Sequence, residues 1–117
     1  MRAAVIRELG SAPDLGEVDE PDGDGVIEVL AAPLNPVDLA VASGAYVAGH
    51  PPLPYVPGCE AVGRTVDGRV VWVFGGGFGL LRDGGIGERA AVGGAVVVEV
   101  PDDADPAIAA GLGIAVL

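Results

Sequence analysis

Short apolar segments separated by turn residues make up most of the chain. Gly25–Ala32 carries apolar side chains on both faces and has Glu28 as its single polar residue, which predicts a strand buried on both sides. Shorter runs of the same kind predict further strands at 1–7, 15–18, 58–66, 69–74, 88–92 and 96–100. Asp67-Gly68 indicates a hairpin turn, and the glycines at 75–79 and 83–87 indicate a turning loop. Six or seven short strands predict an all-β barrel or sandwich, and a barrel is favoured because closure removes exposed edges.

Residues typical of the two ends of a short helix follow the strand predicted at Gly25–Ala32. Asn35 fits the N-cap position, Pro36 the first helical position, and Gly44 a left-handed C-terminal cap. We therefore expect residues 37–43 to form about two helical turns. Three proline sites at 51–57 then favour an extended path over the surface.

A second helix is predicted from Asp105, which can cap it, to the last residue. It is apolar on nearly every side, and apolar surface left in water costs about 25 cal/mol per Å². We therefore expect it to be covered, either by a further domain of a longer parent protein or by a second copy of the chain. This divides the chain into a main domain at 1–103 and, at 104–117, the start of a helix leading onward.

Composition and charge exclude several classes of function. The 117 residues suffice for one domain with a formal net charge of −11, so nucleic acids and anionic membrane surfaces are not expected partners. The chain has no lysine, which excludes Schiff-base chemistry and a phosphate-binding P-loop. It shows neither a transmembrane-length apolar segment nor a signal-peptide pattern, and its single cysteine cannot form an internal disulfide. We expect a cytoplasmic protein.

Side chains able to do chemistry concentrate between residues 33 and 60, which hold the only histidine, the only cysteine and both tyrosines. Asn35 offers a hydrogen-bond donor and an acceptor, or serves only as a helix cap. Tyr46 can donate to a carbonyl at neutral pH because a phenol has a pKa of about 10, or it only packs. His50 titrates in a useful range, or is simply a solvated loop residue.

A metal site is the other chemistry considered for this stretch. A catalytic zinc needs three protein ligands, and Asp38, His50, Cys59 and Glu60 are the side chains that could converge on one. The alternative for Cys59 is a small buried hydrophobic residue. We predict that no metal is bound.

Three segments in succession resemble the medium-chain dehydrogenase/reductase superfamily. The closest similarity is to the N-terminal GroES-like domain of its zinc-free quinone oxidoreductase branch. The segments are LNPVDLAVASGAY, PPLPYVPGCEAVG and GGIGERAAV, the last leading to VVVEVPDDADPAIAAGLGIAVL. Their succession covers nearly the whole chain. The resemblance implies a partly open, mainly β GroES-like barrel with two short helices.

The resemblance also implies a parent enzyme in which this barrel forms one wall of a cleft and an NADPH-binding Rossmann domain forms the other. Hydride would pass from the nicotinamide to a quinone or enone. Asn35 would lie beside the nicotinamide end of the cofactor, while Tyr46 would line the substrate pocket and hydrogen-bond the carbonyl. His50 is a further candidate for substrate contact. Asn35 and Cys59 stand where zinc enzymes of the superfamily carry zinc ligands, so no zinc is implied.

The chain itself shows no dinucleotide-binding fingerprint. That fingerprint places G-x-G-x-x-G between a strand and a helix; the glycines at 75–79 precede no helix signal, and Gly111 and Gly113 lie inside the predicted second helix. We therefore expect no cofactor bound to this chain and no activity from it alone. The alternative hypothesis is a stand-alone GroES-like module for binding or assembly, which would form a homodimer through its terminal helix.

Overall fold

The computed structural model describes residues 1–113, and the last four residues of the second predicted helix lie outside this range. The fold is mostly β with two short helices, as predicted. In chain order the elements are β1 (Arg2–Val5), β2 (Asp14–Glu17), β3 (Val26–Ala31), α1 (Pro36–Ser43), β4 (Glu60–Arg64), β5 (Val70–Phe74), β6 (Arg89–Ala91), β7 (Val96–Glu99) and α2 (Pro106–Gly111).

The main sheet has five antiparallel strands in the order β6-β3-β4-β5-β7, and β1 and β2 form a separate ribbon. β6 and β7 follow each other in the chain but lie at opposite edges of the sheet. A flat five-stranded sheet would hold its edges about 19 Å apart, yet a tight turn closed by Ala95 N–H and the carbonyl of Val92 joins them. The sheet therefore curls until its edges approach, which produces the partly open barrel.

The interior of the curled sheet is filled by apolar side chains from four strands and the glycine-rich loop. Phe78 enters from that loop and is fully buried. Arg82 fixes the same loop, because its guanidinium donates to the carbonyls of Ala91 and Gly93 at 2.9 Å and lies 5.6 Å from the Phe78 ring. The cluster comprises Ile27, Ala61, Val71, Val73, Phe78, Ala90 and Val92.

Within residues 1–113, α2 packs on part of the outer face of the sheet. Ala109 and Ala110 of α2 contact a second cluster that includes Val62 of β4 and Leu30 of β3. The prediction that β3 is buried on both sides is wrong, because Ile27 alone is fully buried and Glu28 is exposed. Within residues 1–113, no helix is long and apolar enough to cross a membrane.

The backbone of the loop after β5 approaches the residues before β4 very closely. Gly84 N–H donates to the carbonyl of Val56 at 2.7 Å, and Gly85 N–H donates to that of Gly58 at 3.0 Å. A Cβ atom on Gly79 or Gly84 would overlap the carbonyl oxygen of Gly58. Two glycines therefore allow the loop to press against the segment that delivers Cys59 and Glu60.

Candidate functional site

The first turn of α1 is organised by Asn35 and Asp38. Asn35 occupies the predicted N-cap position. The backbone N–H of Asn35 donates a hydrogen bond to Asp38 Oδ2 at 2.8 Å. At the other end of α1, Gly44 adopts φ +82°, the left-handed conformation expected of a C-terminal glycine cap. Local sequence signals thus fix both ends of the helix.

Asp38 also joins α1 to the segment that enters β4. Its other carboxylate oxygen, Oδ1, accepts from the backbone N–H of Cys59 at 2.9 Å, and the residue is only 2 % exposed. A carboxylate that accepts two buried backbone N–H groups satisfies donors that the local backbone leaves unpaired. Asp38 is therefore a structural link between the two parts of the candidate site.

Glu60 forms the centre of a second, adjoining set of hydrogen bonds. Its Oε1 accepts from Asn35 Nδ2 at 2.8 Å and its Oε2 from Trp72 Nε1 at 2.7 Å, and the side chain is fully buried. Trp72 reaches Glu60 because β5 pairs with β4 in a register that sets Val62 opposite Trp72, two residues along from Glu60. The sequence pattern did not indicate Trp72 as part of the site, although a half-buried indole N–H needs an acceptor.

Gly113 closes this arrangement from the side of α2. A Cβ atom on Gly113 would overlap Glu60 Oε2 and crowd the indole nitrogen of Trp72. Gly113, two residues after the end of α2, therefore packs directly over the hydrogen bond between Glu60 and Trp72. No larger residue fits there without moving one of these two side chains.

Cys59 lies beside Asn35 but has the properties of a buried thiol rather than of a nucleophile. Burial, reinforced by the charge of Asp38, raises its pKa to about 12. Asn35 Nδ2 lies 3.7 Å from its sulfur. The thiolate is the reactive form of cysteine, so the interpretation of Cys59 as a small buried hydrophobic residue agrees with the structure.

We expect Cys59 to react with iodoacetamide at neutral pH about a thousandfold more slowly than a cysteine with its ordinary pKa, since a three-unit rise lowers the thiolate fraction by that factor. Mass spectrometry of the alkylated protein over time measures the rate. Unfolding in urea should restore ordinary reactivity. Rapid labelling of the folded chain would contradict the assignment.

Tyr46 and His50 lie away from the Asn35 cluster. Tyr46 is half-buried and packs against Ile6, Val41 and Tyr55 beyond the far end of α1, and the eight residues of α1 alone span about 12 Å. His50 is exposed, with Nδ1 2.6 Å from the carbonyl oxygen of Pro51. Within residues 1–113, neither residue hydrogen-bonds to the cluster.

The four side chains considered as metal ligands do not form a site. Asp38, Cys59 and Glu60 are close in space, but His50 is not with them, and no group of three potential ligands suited to a metal occurs among the described residues. Both oxygens of Asp38 accept from backbone N–H groups. The four side chains therefore do not converge on one point in the described part of the chain.

Comparison with known proteins identifies the fold through solved structures, since neither a family model nor a curated protein matches. The quinone oxidoreductase of Thermus thermophilus, solved alone and with NADPH, is 32 % identical with a TM-score of 0.80. This similarity covers 97 % of the chain and 37 % of that protein. The chain has the fold of one part of the medium-chain dehydrogenase/reductase proteins, consistent with a fragment of that superfamily. The family resemblance inferred from the sequence is thus confirmed.

Other members of the superfamily give the same result. The YhdH oxidoreductase of Salmonella enterica, in complex with NADP, has a TM-score of 0.81 at 25 % identity, over 97 % of the chain and 39 % of its own length. Escherichia coli YhdH with bound NADPH has a TM-score of 0.76 at 26 % identity, over 95 % and 38 %. The chain therefore spans less than two fifths of the length of these superfamily members.

Proposed function

We propose that the chain is the substrate-side domain of an NADPH-dependent, zinc-free oxidoreductase of the quinone or enone reductase type. The similarity to the quinone oxidoreductase solved with NADPH supports this most strongly, because it extends over 97 % of the chain at 32 % identity. The cofactor-binding domain would belong to the rest of the parent protein.

The residues of this chain would act by positioning and hydrogen bonding. Bound NADPH supplies the hydride. Asn35, held at the N-terminus of α1, orients the nicotinamide end through its side-chain amide, and Tyr46 donates its hydroxyl proton in a hydrogen bond to the substrate carbonyl. A fixed donor at the oxygen where negative charge develops lowers the barrier to hydride transfer. His50, exposed on the same loop as Tyr46, contacts the outer part of the substrate.

Tyr46→Phe in the full-length gene product is expected to lower kcat for quinone reduction about a hundredfold, because it removes only the donor to the carbonyl. The loss of NADPH absorbance with a series of quinones and enones measures the rate. Val47→Ala, at a fully exposed neighbouring position, is the control and should retain wild-type turnover. A full-length wild-type protein that oxidises no NADPH with any of these acceptors would overturn the proposal.

The second candidate function is a stand-alone module for binding or assembly. The observation that favours it is the outer side of α2, where Ile108 and Leu112 are each 63 % exposed. A second copy could cover these side chains. Sedimentation of the 117-residue chain separates the candidates, since a dilute monomer removes the reason for invoking a homodimer.

A further inference from the structure

Within residues 1–113, Glu60 accepts hydrogen bonds from the side chains of Asn35, on Oε1, and Trp72, on Oε2. An indole N–H only donates hydrogen bonds, so Trp72 donates to Glu60. In the structure Asn35 also turns its donor Nδ2, not Oδ1, towards Glu60. The observed 2.8 Å contact between Asn35 Nδ2 and Glu60 Oε1 agrees with this chemistry.

Glu60 is in turn held by its surroundings. Trp72 Nε1 binds Oε2 from β5, and Gly113 packs over the same hydrogen bond. The side chain belongs to a β4 residue that pairs with Phe74 of β5. Glu60 is thus anchored to the sheet, whereas Asn35 lies on the loop that starts α1.

We propose that Glu60 is a positioning residue that fixes the orientation of the Asn35 side-chain amide, with Trp72 fixing Glu60 in turn. The claim that the Asn35 amide contacts the nicotinamide rests on the proposed function. The claim that Glu60 fixes the orientation of this amide does not depend on the proposed function, so the two claims can fail separately. Fixing a binding group in advance from a rigid strand is what precise hydride transfer requires.

The composition of the chain makes the hydrogen bonds directly observable. It contains one asparagine, no glutamine and one tryptophan. In protein labelled with nitrogen-15 at asparagine and tryptophan only, the only side-chain amide pair therefore comes from Asn35 and the only indole N–H from Trp72. The restricted label keeps this true in variants that gain a glutamine, so each of these two donors to Glu60 has its own signal.

Glu60→Gln is the first variant, because the glutamine amide can accept from only one of the two donors at a time. We expect both signals to move, and the hydrogen of the donor that loses its acceptor to exchange with water about tenfold faster or more. Glu28→Gln removes the same charge from an exposed position on β3 and should leave both signals in place. An indole signal that moves while the Asn35 amide pair stays fixed would overturn the proposal.

Gly113→Ala is the second variant, used also if Glu60→Gln does not fold. It perturbs Glu60 and Trp72 by crowding alone and removes no donor or acceptor. We expect the Asn35 amide pair to move although the three atoms nearest to the new Cβ all belong to Glu60 and Trp72. An unchanged amide pair beside a shifted indole would likewise contradict the coupling.

Kinetics of the full-length product provide the functional readout. Glu60→Gln should lower kcat for NADPH-dependent quinone reduction up to about a hundredfold, the effect expected of a misplaced binding group. In an Asn35→Ala background the same change should have almost no further effect, because the group it positions is gone. Independent, multiplying losses would indicate a purely structural role. A wild-type protein without NADPH oxidation would refute the proposed function, while the amide signals would still decide the positioning of Asn35.

Discussion

Gly84→Ala is expected to lower the free energy of unfolding by about 3 kcal/mol or more, at the upper end of overpacking effects. The new Cβ atom would overlap the carbonyl oxygen of Gly58 and lie 2.7 Å from Cα of Gly79. Both are backbone atoms, so no side-chain rotation can relieve the contact. Moving the loop instead would break the hydrogen bond from Gly84 N–H to Val56.

Gly111→Ala is the matched control for this change. Gly111 also lacks a positive φ, and a Cβ atom there meets nothing within 4 Å. Because alanine is preferred over glycine in a helix, the control should be neutral or stabilising by up to about 1 kcal/mol. Urea denaturation followed by Trp72 fluorescence measures both variants. Equal midpoints for the two would show that the close approach to Gly58 is not a packing constraint.

The parts of the fold that the sequence predicted correctly depend on local chemistry. Asn35 and Gly44 mark the ends of α1 because a cap and a left-handed turn are decided by a few consecutive residues. The turn at Asp67-Gly68 joins two strands for the same reason, and Gly68 adopts the left-handed conformation there. Such local signals do not depend on how the rest of the chain folds.

The pairing of distant elements could not be predicted in the same way. β6 and β7 are separated by only four residues, yet they lie at opposite edges of one sheet. Nothing in those few residues says that the sheet curls. The apolar pattern of β3 likewise suggested two buried faces, whereas within residues 1–113 only Ile27 of this strand is fully buried.

The candidate site shows the same division. The sequence located Asn35 at its helix end, but the contact with Trp72 through Glu60 depends on strand register, which a sequence pattern does not specify. The sequence also grouped Asn35 with Tyr46, while the structure sets them at opposite ends of α1. In the proposed function the two residues then serve different parts of a cofactor and substrate complex rather than one shared point.

Asp38→Ala is expected to cost about 4 kcal/mol, because it leaves two buried backbone donors without acceptors and each such group costs about 1–3 kcal/mol. The donors are the N–H groups of Asn35 and Cys59. Without these two hydrogen bonds, the start of α1 would no longer be linked to the segment that precedes β4. The candidate site would therefore be disturbed by the same change that destabilises the fold.

Two further variants separate the role of Asp38 from ordinary helix capping. Asp38→Asn keeps one oxygen acceptor and should lose about half as much stability. Asp105 caps α2 at an exposed position by accepting from Ala107 N–H, so Asp105→Ala should cost only about 1 kcal/mol. Urea midpoints of the three variants test the order. If Asp38→Ala were no worse than Asp105→Ala, the carboxylate would be no more than a helix cap, and the link between α1 and β4 would need another source.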